Sequence, residues 1–188
     1  VTPFEKLAPA GRVEAFESDR AALRKELHGL AVRALAEGGA DPAGFADLDK
    51  ADGRLVGLRG QTMRGLGFEK PPADAAERKT QSAALRGKSP ALALYFARRG
   101  LYQEYVNQAV HHQAVKPGAK LMPWEAGIEG GAEKSIVYDK RAEEGRDYWG
   151  LQREYADGST RFEASSGDRD LVVVHDPASH RKVSMVTE

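Results

Sequence analysis

Apolar residues fall mostly at three- and four-residue steps from Val13 to about Glu37 and again from Leu92 to Val110, then alternate or run apolar at strand lengths from Lys134 onward, with the breaker Lys116-Pro117-Gly118 between the two regimes. A three-to-four-residue period is one face of a helix and a two-residue period is one face of a strand, and neither pattern can serve the other element. The chain is therefore read as α+β: a helical N-terminal two-thirds followed by a C-terminal antiparallel β-meander. Its 188 residues favour a single domain over 1–188, in two lobes, one mainly helical at 1–115 and one of sheet at 134–188.

Within the helical part, Phe16, Leu23, Leu27, Leu30 and Leu35 predict a first helix from Val13 to about Glu37, ended by Gly38-Gly39. Asp41-Pro42 offers an N-cap and a first helical position for a short second helix through Phe45 and Leu48. Glycines and prolines between Gly57 and Pro72 read as an irregular connection. A helix with a thin core face follows over Asp74 to Arg86. Ser89-Pro90 then starts a central helix whose stripe of Leu92, Tyr95, Phe96, Tyr102, Tyr105, Val106 and Val110 runs towards His112, with Gly100 as a bend or stop. After a loop in which Trp124 plugs the core, strands are expected at 134–140, 148–156, 159–165, 170–175 and 182–187. Asp157-Gly158 is read as a two-residue hairpin turn, which pairs Glu154 with Arg161 and puts Gln152, Glu154, Arg161 and Glu163 on one polar face.

Charge is zero overall but unevenly placed. Residues 54–120 hold twelve basic and four acidic side chains, while both flanks are acidic. A basic block of this kind concentrates anions and neutralises phosphates. Arg59, Arg64, Arg98, Arg99 and Lys116 within it are expected to bind substrate. The absence of cysteine excludes disulfides, thiolate nucleophiles and Cys-type zinc sites. No apolar stretch is long enough for a membrane span, and no membrane partner is expected. Gly87-Lys88-Ser89 ends like a P-loop, but Ser82 stands where the loop needs glycine, and no strand precedes it. A metal reading built on a histidine with Asp176 and His180 lacks local ligand spacing, so neither metal nor cofactor is expected.

Four of the five histidines cluster, as His111-His112 at the helix end and His175/His180 around the last turn. Imidazole can give and take a proton near neutrality, so His112 and His175 are candidate acid–base groups, with Glu154 as a carboxylate partner and Arg161 as a phosphate clamp. The closing segment "LVVVHDPASHRKVSMVT" resembles the final hairpin of bacterial toxin RNase domains of the barnase, EndoU, colicin D and RelE-like group. That resemblance implies metal-independent cleavage of RNA by general acid–base transesterification, with roles falling on His112 or His175, Glu154 or Glu163, Arg161, and Ser184 or Thr187. It also implies RNA and a cognate inhibitor protein as partners, and a cytoplasmic site of action after delivery as the C-terminal part of a larger protein. The competing reading is a non-catalytic basic module that binds nucleic acid or an acidic protein.

Overall fold

The computed structural model describes residues 3–128, 133–166, 168–179 and 181–187, with the side chains of 133–135, 165, 181–185 and 187 outside that description. Among the described residues the helices are α1 (Pro9–Glu37), α2 (Leu48–Gly65), α3 (Ala75–Lys88) and α4 (Pro90–His111). The strands are β1 (Lys120–Leu121), β2 (Glu133–Glu143), β3 (Arg146–Tyr155), β4 (Thr160–Ser166), β5 (Arg169–Asp176) and β6 (Arg181–Thr187). They pair antiparallel in chain order, so the sheet is a meander and the α+β expectation holds.

The chain packs as two units, Arg20–Tyr102 and Val1–Asp19 with Gln103–Glu188. This division differs from a helical lobe followed by a sheet lobe, because α1 and α4 each contribute one end to the sheet-containing unit. There Phe16 of α1 stacks on Tyr105 of α4 at 5.9 Å, and Phe4 lies 5.2 Å from the same ring.

In the helical unit, α2 occupies much of the stretch expected to be irregular. Asp47 caps it by accepting from the Asp49 and Lys50 N–H groups, and Leu48, Ala51, Asp52 and Leu55 form one buried face at helical spacing. Gly53, Gly57, Gly60 and Gly65 each cost about 1 kcal/mol relative to alanine, which burial of that face offsets. The short helix expected after Asp41 is a single 3₁₀ turn at Pro42–Gly44. α3 opens with a reciprocal cap, in which Asp74 accepts from Glu77 N–H and Glu77 accepts from Ala73 N–H. α4 runs through Gly100 without a stop, and its first N–H groups at Ala91 and Leu92 donate to the Glu37 carboxylate.

In the sheet-containing unit, three turns among the described residues set the register. Glu143 pairs with Arg146 across Glu144-Gly145, both at positive φ, +50° and +76°. That is the primed two-residue turn that matches strand twist. Between β3 and β4 the expected two-residue loop has three residues. Tyr155 N–H donates to Ser159 O, Gly158 N–H donates to Tyr155 O, and Gly158 sits at φ +83°. The extra residue moves the pairing by one, giving Glu154 opposite Thr160 and Arg153 opposite Arg161. Between β5 and β6, Asp176 forms the turn by accepting from Ala178 N–H at 3.0 Å and Ser179 Oγ at 2.7 Å.

Register and pleat assign the two faces. One carries Tyr148, Gly150, Gln152, Glu154, Thr160, Phe162, Ala164, Leu171, Val173 and His175. Its buried centre is Tyr148, Phe162, Ala164, Leu171 and Val173. The other carries Tyr138, Trp149, Leu151, Arg153, Arg161, Glu163, Asp170 and Val172. Each face is thus part apolar and part polar, in place of the expected clean division. Gly150 is required by close approach, since a Cβ there would collide with the Glu163 carbonyl and Ala164.

Glu144 holds a left-handed conformation that costs an L-residue roughly 1–2 kcal/mol and that asparagine tolerates best. Glu144→Asn is expected to raise stability by about 0.5–1 kcal/mol, read as a higher urea midpoint at unchanged m-value; a lower midpoint would contradict the turn assignment. The Asp157 and Asp176 carboxyls are held below the usual range by the hydroxyls of Ser159 and Ser179 and by nearby backbone N–H groups. Their folded-state values are depressed, so their contribution is complete at neutral pH and lost as pH falls through the lowered values. The double substitution D157N/D176N should flatten the acid limb of the stability–pH curve, and an unaltered limb would count against it.

Candidate functional site

Three arrangements gather chemistry-bearing side chains. The first is a cross-strand row at one end of the sheet. Glu154 on β3 faces Thr160 on β4, and Thr160 faces His175 on β5. The row continues in register to Ser135 on β2 and Lys182 on β6. Glu154, Thr160 and His175 are each partly exposed, so solvent reaches them. Two strand spacings, about 10 Å, separate the main chains that carry the carboxylate and the imidazole.

Arg161 is not part of that row. The three-residue loop puts it on the opposite face, where its Nε donates to Glu163 Oε1 at 2.6 Å along the same strand. The expected Glu154–Arg161 cross-strand pair is therefore replaced, because a one-residue change of register moves every side chain of a strand to the other side. His112 stands apart as well. It follows the last turn of α4, with Nε2 3.8 Å from Glu5 Oε2 and its ring 6.3 Å from that of Phe4. Ser184 takes a register position opposite Val173, its side chain outside the described residues, as are Thr187's side chain and all of His180.

The second arrangement is a shallow depression of about 660 Å³ on that opposite face. His111 of α4 borders it, together with Arg153, Glu163 and Asp170 over Trp149 and Leu151. Consecutive helical residues diverge by about 100°, and the two histidines part accordingly: His111 enters this depression while His112 approaches Glu5 and Phe4. Beside it, Tyr138 stacks on Trp149 at 5.8 Å, and burial pushes its hydroxyl up to about 12, so it stays protonated.

The third is a groove of about 850 Å³ within the helical unit, formed by the end of α2, residues 68–72, α3 and the start of α4. Five cations line it, Arg59, Arg64, Lys70, Arg78 and Arg86, against one carboxylate, Glu69. Its floor is apolar, with Met63, Phe68, Leu85 and Phe96. Among the described residues no acidic side chain pairs with Arg64, Lys70, Arg78 or Arg86. Arg59 lies over the Phe96 ring with Cζ 4.0 Å from its centroid.

Of the cations expected to bind substrate, Arg59 and Arg64 are brought together in this groove. Arg98 is exposed on α4 and Lys116 is exposed in the loop after it; neither lines the groove. Arg99 is buried, 3% exposed, and belongs to the core. Its Nε donates to Asp52 Oδ1 at 2.6 Å and its Nη2 to Oδ2 at 3.0 Å, while Tyr95 Oη donates to Oδ1 at 2.6 Å. Burial first, then the Asp52 carboxylate, drive the Tyr95 hydroxyl far above its ordinary value, so it remains a donor. Sequence reasoning passed over Lys70, Arg78 and Arg86 as groove residues, although the step of eight from Arg78 to Arg86 puts both near one side of α3. It also passed over Thr160, whose place between Glu154 and His175 follows only from the observed register.

Among the described residues no three His, Asp or Glu side chains are placed to hold a metal ion, and no helix is long and apolar enough to cross a membrane. Because Arg99 is a core residue, Asp52→Ala leaves a guanidinium buried without its carboxylate and should cost about 3–5 kcal/mol. Chemical denaturation measures this; a loss under 1 kcal/mol would show the network to be dispensable. No protein-family model, curated protein or solved structure matches the chain.

Proposed function

We propose that the chain is a toxin-like, metal-independent endoribonuclease whose acid–base groups are Glu154 and His175. The observation that carries this reading is the cross-strand row, in which a carboxylate and an imidazole stand on one partly exposed face with a hydroxyl residue, Thr160, between them. In-line cleavage of RNA needs a base on one side of a phosphate and an acid on the other. Glu154 takes the proton from the ribose 2′-hydroxyl, the 2′-oxygen bonds to phosphorus, the bond from phosphorus to the 5′-oxygen breaks, and His175 protonates the departing oxygen. The products are a 2′,3′-cyclic phosphate and a 5′-hydroxyl, and the step needs no cofactor. In this scheme Thr160, which lies between the two groups in register, donates to a phosphate oxygen. Arg161 has no role in this scheme because it faces the other way. The setting that accompanies the reading is the cytoplasm of a recipient cell, with a cognate inhibitor protein as partner.

Cleavage of a fluorescently labelled RNA oligonucleotide by the purified chain, in the presence of a chelator, tests the proposal. Glu154→Gln and His175→Ala should each lower the single-turnover rate by about 10²-fold or more, while Arg161→Ala stays within a few-fold of the parent. Equal rates for all four proteins, or RNA binding by the parent with no cleavage, would overturn it; the latter outcome would favour a non-catalytic nucleic-acid-binding module.

A further inference from the structure

We infer that the groove between α2, α3 and α4 is a binding site for single-stranded nucleic acid, with phosphates on its cationic rim and bases on its apolar floor. The inference stands whether or not the sheet cleaves RNA, since all its residues belong to the helical unit.

Charge comes first. Among the described residues Arg64, Lys70, Arg78 and Arg86 have no acidic partner, and they line one concavity with a single carboxylate, so the local field favours a ligand with repeated negative charge. An isolated small anion would satisfy one or two of these groups and leave the floor unused. The floor is the second argument, since Met63, Phe68, Leu85 and Phe96 present apolar and aromatic surface that a bare polyanion cannot cover. Unstacked nucleobases can, because each has a π-face and a phosphate at regular distance from it. A duplex keeps its bases stacked inside and offers the groove only phosphates, so it forfeits the floor.

Arg59 provides a specific docking element. Its guanidinium rests over Phe96, which sets a cation against the aromatic part of the floor. Phe96 is in turn braced by Arg99, whose Cζ is 5.3 Å from the ring centroid and which Asp52 holds in place. The buried network thereby fixes a platform in the groove, which makes Arg99 a positioning residue for the site rather than a contact to the ligand.

Fluorescence anisotropy with a labelled, 2′-O-methylated oligouridine twelve-mer tests this, because that probe lacks the free hydroxyl needed for cleavage and so reports binding alone. The parent should bind it with log K falling against log salt at a slope near about −3, as expected for four to five phosphate contacts on a single strand. The variant K70Q/R78Q/R86Q should bind at least about ten-fold more weakly with a shallower slope, by about 2. A control, K25Q/K79Q/K88Q, removes three lysines outside the groove and should change affinity less than three-fold, an estimate of about the size expected for charges that touch no phosphate. Phe68→Ala should weaken the oligonucleotide at unchanged slope and leave inorganic polyphosphate binding unaffected, which separates a base contact from charge alone. Equal weakening by both triple variants, an insensitive Phe68→Ala, a duplex that binds as tightly as the single strand, or an acidic amphipathic peptide that binds more tightly than the oligonucleotide would each overturn the inference.

Discussion

The chemistry available to the sheet depends on how many residues connect β3 to β4. Gly158 adopts a left-handed conformation at φ +83°, the three-residue loop closes on Tyr155 and Ser159, and Glu154 consequently opposes Thr160. A loop one residue shorter would send Arg161 to the face that now holds Thr160, and the carboxylate would meet a guanidinium instead of a hydroxyl. The same register carries into β5 and puts His175 in line. Glycine at this position relieves a steric cost of roughly 1–2 kcal/mol that an L-residue would bear, and with it the identity of the groups sharing a face.

The helical unit depends on a different kind of constraint, a buried charge pair. Asp52 and Arg99 are 2% and 3% exposed, and their desolvation is compensated by a bidentate contact and by the Tyr95 hydroxyl. Such a pair adds little net stability compared with an apolar replacement, but it fixes which turn of α2 meets which turn of α4. Arg99 also reaches Phe96, so the order imposed in the core extends to the wall of the groove. Core packing and the geometry of the groove wall in this unit share one set of residues.

Much of the architecture was legible in the amino-acid order, for physical reasons that also explain the misses. The change of apolar period announced the helices and the meander, Asp74 and Ser89-Pro90 marked two helix starts, and the basic stretch drew attention to Arg59 and Arg64. α2 was obscured by Gly53, Gly57, Gly60 and Gly65, which argue locally for a loop; the buried face at Leu48, Ala51, Asp52 and Leu55 overrides them, and half of that signal came from small or acidic residues that do not look like core. Arg99 was read as a surface cation because its partner lies 47 positions away, beyond the reach of any local pattern. The Asp157-Gly158 dipeptide is compatible with loops of two and three residues, and Ser159, which closes the longer one through Asp157, tipped the outcome. Glu154 and His175 were each picked out from the sequence, yet their alignment through Thr160 was not, since it follows from two successive registers. His112 was favoured over His111 as the useful histidine, whereas it is His111 that borders a depression and His112 that approaches Glu5 and Phe4.

The most direct test of the central claim, that Glu154 and His175 act together on an RNA phosphate, is the chemical nature of the ends left by the purified protein. Mass spectrometry of a short RNA incubated with it in chelator should detect 2′,3′-cyclic phosphate and 5′-hydroxyl termini, with an otherwise identical 2′-O-methyl strand left intact. Fragments ending in 3′-hydroxyl and 5′-phosphate, cleavage of the methylated strand, or an RNA that remains whole would contradict it.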